Sequence, residues 1–507
     1  MPTPNKTIQE NLAQRKFGRI FDNTPVRILA LLLLLSTAAV HSAFSTTTLF
    51  NPDIWWHLRT GLWILQNYSA PHVGLFSQDA GRPWVDCSWL FEVLLAGTYK
   101  LLGLRAFAVL LMIFKLALAA VTFLLARGRS GNFWYAVLLS AIAQYVIVDL
   151  LPLPIVFSIL LFSVELFLLL QSRRTNDVRS LYWLPVLFFF WANLDGQFLN
   201  GLLLLGLYLA AVVAESVLQI SGESSLSAPA HSLAKIFAIA GLSVIATLLT
   251  PYSFQLFPNA FQTAYGKVLF DNFQEMHAMA FRQPQHFVLM LLVMAAFLAL
   301  GRQRSRDLFK LGAMGIFVTL AFRVQRDGWC VALPAIAVIA DALADWQHRP
   351  EPLERSAGWE WENPLVAVLL LGIFLAAILR IPSSQTLMDQ ASRVFPMKAC
   401  DFIKANRLPG PLFNTYPWGG FLIWYLPEYP VSIDSRVNLY GDEITERYFK
   451  VVGGTQRLET DPSFTDAHTI LLERNSGMLK ALTTLPALRE QFRVVYQDEV
   501  AAVLVKQ

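Results

Sequence analysis

Cysteine is scarce. Only Cys87, Cys330 and Cys400 occur in 507 residues, which excludes a disulfide framework. At most one pair could bridge, and free thiols are the expectation. Charge is scarce as well: 15% of residues are charged, against ~25% in soluble proteins, which excludes an ordinary soluble chain. The polar, basic N-terminus is followed by an apolar run without a small-residue cleavage site, which argues against a cleavable signal and for a retained first helix. No repeat is present. The low-complexity stretches are confined to "SGESSLSAPAHS" and the proline-bearing "QHRPEPLERSAGWEWENP". Nothing in the composition calls for a nucleic-acid partner.

Apolar residues are abundant. They make up 55% of the chain and recur in runs of ~20, long enough to cross ~30 Å of hydrocarbon. The pattern predicts eleven spans, at about 27–46, 104–126, 132–150, 154–171, 180–194, 200–219, 233–250, 286–301, 308–323, 329–346 and 364–381. The short basic loops "RGR", "SRRTNDVR" and "RQRSRD" fall on the same side as the basic tail, which marks that side as cytoplasmic. "RVQRD" (Arg323 to Asp327) falls on the other side and breaks the pattern. The expected organisation is a cytoplasmic tail at 1–26, a membrane region at 27–381 and an extracytoplasmic α/β domain at 382–507. In that domain "FPMKACDFIKAN", "EITERYFKVV" and "MLKALTTLPALREQF" read as helices. "YPVSIDS" and "TILLE" read as strands, and "RVVYQDEVAAVLVK" as a hairpin.

The polar residues of the membrane region gather at the outer face. Directly after span one, "FNPDIWWHLRTGLWILQN" places Asp53, His57 and Arg59 among tryptophans. Trp55, Trp56, Trp63, Trp84 and Trp89 suit a headgroup-level aromatic belt. The outer loop at 47–103 reads as two surface helices with Arg82 and Asp86 between them, and Glu92 as a partner of Arg59 or Lys100. A carboxylate at this depth is a functional-site candidate by default. Asp149, Asp195, Lys267, Glu275, Arg282, Arg323 and Arg326 share this face. The cytoplasmic side shows basic anchors and no comparable group, an asymmetry that argues against a solute carrier.

These features resemble the GT-C superfamily of membrane glycosyltransferases, which includes protein O-mannosyltransferases, aminoarabinose transferases and the catalytic subunits of oligosaccharyltransferases. Asp53 in "NPDIWWHLRTG" matches that superfamily's first acidic position, and Asp149 the second. "YPWGGFLIWYLPEYPVSIDSRVNLYGD" is similar in layout to the oligosaccharyltransferase stretch WWDYG. Trp418, Gly419 and Gly420 take its turn, and Asp434 and Arg436 end its strand, while the WWDYG aspartate itself is absent. The resemblance implies transfer of a sugar from a polyprenyl-phosphate donor to a protein, lipid or glycan acceptor on the outer face of a bacterial inner membrane. Asp53, with His57, would supply acid–base chemistry. Arg59, Arg323 and Arg326, backed by Lys267 and Arg282, would hold the phosphate. Mg²⁺ or Mn²⁺ on Asp53 and Asp149 is a further possibility. The competing reading is a non-catalytic GT-C-like scaffold that binds a partner or a glycan.

Overall fold

The computed structural model describes residues 24–44, 49–128, 131–148, 150–218, 230–346 and 364–507. Asp149 and the basic tail lie outside the described residues.

A helix forms on each predicted apolar run. These are α1 (Thr24–Phe44), α4 (Arg105–Arg127), α5 (Phe133–Val146), α6 (Ile155–Thr175), α7 (Leu184–Leu194), α8 (Phe198–Val217), α9 (Ala230–Ala246), α12 (Pro284–Arg302), α13 (Leu308–Arg323), α14 (Trp329–Trp346) and α15 (Pro364–Arg380). Among the described residues, six (α1, α4, α6, α8, α12 and α14) are long and apolar enough to cross a bilayer. A seventh span results if α15 and α16 (Ser384–Ala391), bent by 60°, count together. The chain is an integral membrane protein. Most of the other helices are shorter than their apolar runs. The run at 180–194, for example, spends its first residues on a 3₁₀ turn, Arg179–Trp183.

The outer loop folds into α2 (Asp53–Asn67) and α3 (Trp89–Leu102). They cross at Gly61, where a Cβ would lie 2.0 Å from the Glu92 carbonyl oxygen. The segment between α9 and α12 carries α10 (Leu256–Tyr265) and α11 (Lys267–Asn272).

The C-terminal layer begins with α17 (Met397–Asn406), β1 (Leu412–Asn414), α18 (Tyr416–Tyr425) and α19 (Val437–Val452), which is kinked at Gly441 with φ +71°. Then come α20 (Pro462–Thr465), β2 (Thr469–Glu473), α21 (Gly477–Thr484), α22 (Pro486–Arg489), β3 (Phe492–Gln497) and β4 (Ala501–Lys506). The sheet order is β1-β2-β4-β3, with β1 parallel to β2 and the other pairs antiparallel. Two sequence expectations change here. "MLKALTTLPALREQF" breaks into α21 and α22 at Pro486, since proline cannot donate inside a helix. "YPVSIDS" is irregular chain, with a single bridge from Val431 to Ser77 of the outer loop.

The aromatic belt is also corrected. Trp55 and Trp84 are core residues, 0% and 2% exposed. Trp55 packs edge-on against Phe107, Phe395 and Phe421. Its apolar area is covered by the C-terminal layer, which burial favours over a headgroup setting.

At the opposite ends of α6, α8, α13 and α14 a buried ion network replaces the expected simple anchors. Arg173 Nη2 donates to Glu215 Oε1 at 2.9 Å and to Asp307 Oδ1 at 3.0 Å. Arg174 and Lys310 donate to Asp341 at 2.9 and 2.8 Å. Three cations balance three carboxylates, which makes their burial tolerable.

Candidate active site

Asp53 is the first residue of α2, following Pro52 as N-cap. It does not end the membrane helix; nine positions separate it from the last residue of α1. A helix N-terminus stabilises a carboxylate. The backbone turn is set by Asn51, whose Oδ1 accepts the Asp53 N–H at 2.8 Å. Close packing explains the glycines facing it. A Cβ on Gly420 would lie 2.3 Å from the Pro52 carbonyl oxygen, and one on Gly419 2.2 Å from that of Ile433. The Gly419–Gly420 pair lets α18 press the start of α2 against residues 433–435.

The Asp53 carboxyl is partly buried. Burial pushes its pKa up to about 6; hydrogen bonds from Ser435 and Trp56 oppose this, and the nearby charges of Glu275 and Asp434 reinforce it. Trp56 Nε1 donates to Ser435 Oγ at 3.1 Å. The result is an acid poised to exchange a proton near neutrality.

Behind Asp53 lies a sealed cluster. His57, 5% exposed, stacks on Trp56 with ring centroids 3.6 Å apart. Its partner is Glu92 at 2.9 Å, fully buried. Glu92 therefore pairs with neither Arg59 nor Lys100. Burial, reinforced by the Arg436 charge, holds His57 well below the usual imidazole range. Burial, then the neighbouring Asp86, pushes Glu92 well above the usual carboxylate range. The two side chains share a single hydrogen bond, between Nδ1 and Oε1. Asp86 is 2% exposed; burial raises its pKa, and it hydrogen-bonds to Glu92. Glu92 Oε2 and Asp86 Oδ2 meet no other donor.

Asp434 and Arg436 come together as a fully buried fork. Asp434 Oδ1 accepts from Arg436 Nε at 2.8 Å, and Oδ2 accepts from Nη2 at 2.8 Å and from the Tyr440 hydroxyl at 2.6 Å. Trp84 covers the guanidinium, with Cζ 4.8 Å from the ring centroid. Arg59 and Arg436 both approach Phe76, at 5.5 and 5.9 Å. Trp418 is buried and its Nε1 donates to the Val394 carbonyl at 3.2 Å.

Two further candidates, Arg323 and Arg326, line a separate cleft, together with Gly196, Gln197, Asn200 and Asp327, among others. The turn carrying the arginines is stitched to 274–279 by Met279 N→Phe322 O and Gln325 N→His277 O, both 3.0 Å. Arg326 Nε contacts Asp327 at 3.3 Å, and Arg326 also feels Glu275 and Asp195. Glu275 thus acts on both Asp53 and Arg326. Asp195 accepts from Ser158 Oγ at 2.5 Å. Burial pushes the Asp195 pKa up to about 6 against the opposing effects of Ser158, Arg326 and two backbone N–H groups. Arg323 is exposed over Phe270, 5.3 Å from its centroid. Lys267 and Arg282 are exposed, and Lys267 lies toward Glu446 of α19.

Sequence reasoning missed Ser435, Tyr440, Asn259 and Asn438. Asn438 Nδ2 donates to Val85 O at 2.9 Å and Asn259 Oδ1 at 3.0 Å, tying the outer loop, the α10 segment and the C-terminal layer into one wall. Ser435, Asn438 and Tyr440 sat within the stretch at 416–442 already singled out, but no motif marks their roles, and Asn259 lay outside it. For a divalent ion, the described residues contain no group of three His, Cys, Asp or Glu placed to hold one. His57 Nδ1 and both Asp434 oxygens are already engaged.

No family model matches the chain, and no curated protein matches it. Among the solved structures similar to the chain are two of ArnT from Cupriavidus metallidurans, each at 14% identity and a TM-score of 0.45. The structure bound to undecaprenyl phosphate aligns over 93% of this chain and 97% of its own; the apo state aligns over 97% and 98%.

Proposed function

We propose that the chain is a glycosyltransferase of GT-C type. It would cross the inner membrane eleven times and hold its C-terminal layer outside the cytoplasm. There it would move a sugar from a polyprenyl-phosphate donor to a protein, lipid or glycan acceptor. The observation that carries the reading is Asp53: a partly accessible carboxyl poised at about 6, held rigidly where the outer loop meets the C-terminal layer. Glu275 acts on both Asp53 and Arg326, one of the two arginines that line the neighbouring cleft.

In the reaction, an acceptor hydroxyl or amine attacks the anomeric carbon as the bond to the phosphate oxygen breaks. Asp53 takes the proton, and polyprenyl phosphate leaves with its electron pair. Arg326, with Arg323, would neutralise that phosphate through charge-assisted hydrogen bonds. Burial, reinforced by the nearby Glu275 charge, keeps Asp53 protonatable. The misplaced positive charges of "RVQRD" then have a reason to be outside.

The scaffold reading is favoured by one observation: Arg436 forks onto Asp434 through Nε and Nη2 and is sealed under Trp84, which leaves only the buried Nη1 without a partner. Incubating membranes with a panel of radiolabelled polyprenyl-phosphate sugars separates the two. The transferase reading expects Asp53-dependent labelling of an acceptor; no labelling above membranes lacking the protein, with every donor, would overturn it.

A further inference from the structure

The buried Glu92 does no chemistry in the proposed reaction, yet it stands at the head of an unbroken series of contacts ending at Asp53. Glu92 fixes His57 through Nδ1 at 2.9 Å. The His57 ring lies stacked on Trp56, at 3.6 Å and 30°. Phe91 meets the His57 ring edge-on, 5.4 Å away, so the imidazole is held on more than one side. Trp56 Nε1 donates to Ser435 Oγ at 3.1 Å, and Ser435 hydrogen-bonds the Asp53 carboxyl. The path runs from α3 through α2 to the C-terminal layer and back to the first residue of α2.

We infer that Glu92 is a positioning residue. Through His57 it sets the plane of the Trp56 indole, and so the Ser435 hydroxyl that orients Asp53. Asp86 completes the arrangement by hydrogen-bonding Glu92. Burying these polar groups is costly unless each is paired. The pairing serves residues several contacts removed from the reacting carboxyl, as expected of a shell that holds a catalytic group within a few tenths of an ångström. The inference rests on the transferase reading for its meaning, but not for its structural test.

That test reads the Trp56 indole N–H in ¹⁵N-tryptophan-labelled protein in nanodiscs, the resonance being assigned by its loss in Trp56→Phe. Ser435→Ala removes the acceptor and gives the reference displacement. Glu92→Leu should displace the resonance in the same sense, while Glu92→Gln, whose amide can still hydrogen-bond His57, should leave it in place. A resonance unmoved in Glu92→Leu while Ser435→Ala moves it would overturn the inference, whether or not transfer is ever observed. So would equal displacement by Glu92→Gln and Glu92→Leu. Should Glu92→Leu not fold, Glu92→Met, which also removes the hydrogen bond to His57, takes its place and must displace the resonance. Where transfer is measured, Glu92→Leu should lower kcat by ~10²-fold, the scale of a small misplacement of a catalytic group. The donor KM should hardly change, and adding Ser435→Ala should lower kcat little further. Fully multiplicative losses would contradict a shared path.

Discussion

Asp53→Asn should make the protein more stable at pH 8 while removing its proposed activity. Burial moves the Asp53 carboxyl from an ordinary 3.8 to about 6, which corresponds to about 3 kcal/mol of preference for the protonated form. Partial exposure and solvent screening reduce the realised amount to ~1–2 kcal/mol. Because the folded pKa lies above the unfolded one, the stabilising contribution is complete below pH ~4 and is lost as pH rises through about 6. Asparagine has the same shape and carries no such penalty at high pH. The stability difference, variant minus wild type, should therefore be ~1–2 kcal/mol at pH 8 and shrink toward zero near pH 4. Asp195, also held at about 6, titrates in both proteins and cancels in the difference. Thermal unfolding in detergent, followed by near-ultraviolet circular dichroism at both pH values, measures it. A variant less stable than wild type at pH 8, or a gap independent of pH, would refute the reasoning. A charge kept where it destabilises the fold is the signature of a residue retained for function.

Arg436→Ala strips the countercharge from the buried Asp434 carboxylate and should cost ~3–5 kcal/mol, read as a lowered unfolding midpoint; Arg436→Lys, which loses the fork, should fall between. Gly420→Ala drives a methyl against the Pro52 carbonyl oxygen and should cost ~1–3 kcal/mol in the same measurement, with transfer falling too. Arg326→Ala should weaken binding of a polyprenyl-phosphate sugar by ~1.5–3 kcal/mol, partly restored in Arg326→Lys, and equilibrium binding in nanodiscs checks it.

The helices of the membrane region were legible because a run of ~20 apolar residues has few other stable outcomes. The two surface helices of the outer loop were legible from their amphipathic pattern. Partner choice was not. A tryptophan-rich amphipathic segment looks the same whether lipid or protein covers it, so the burial of Trp55 beneath α18 left no trace in the local pattern. His57 meets a carboxylate 35 positions away and Arg173 one 134 positions away; no local period encodes either contact. Asp434 and Arg436 were singled out as the end of a strand, but they serve as a closed ion pair in irregular chain. Asp53 and its acidic surroundings emerged because a carboxylate amid aromatic residues beside a membrane helix is chemically conspicuous.

The central claim is that Asp53 takes the acceptor's proton. The most direct measurement is the single-turnover rate of sugar transfer by purified protein in nanodiscs, with saturating polyprenyl-phosphate sugar, for wild type and Asp53→Asn. The account predicts a fall of ~10²–10⁴-fold, the usual contribution of a general base, with donor affinity unchanged. A rate within about threefold of wild type, on a scale where losing a general base costs at least ~10²-fold, would contradict it.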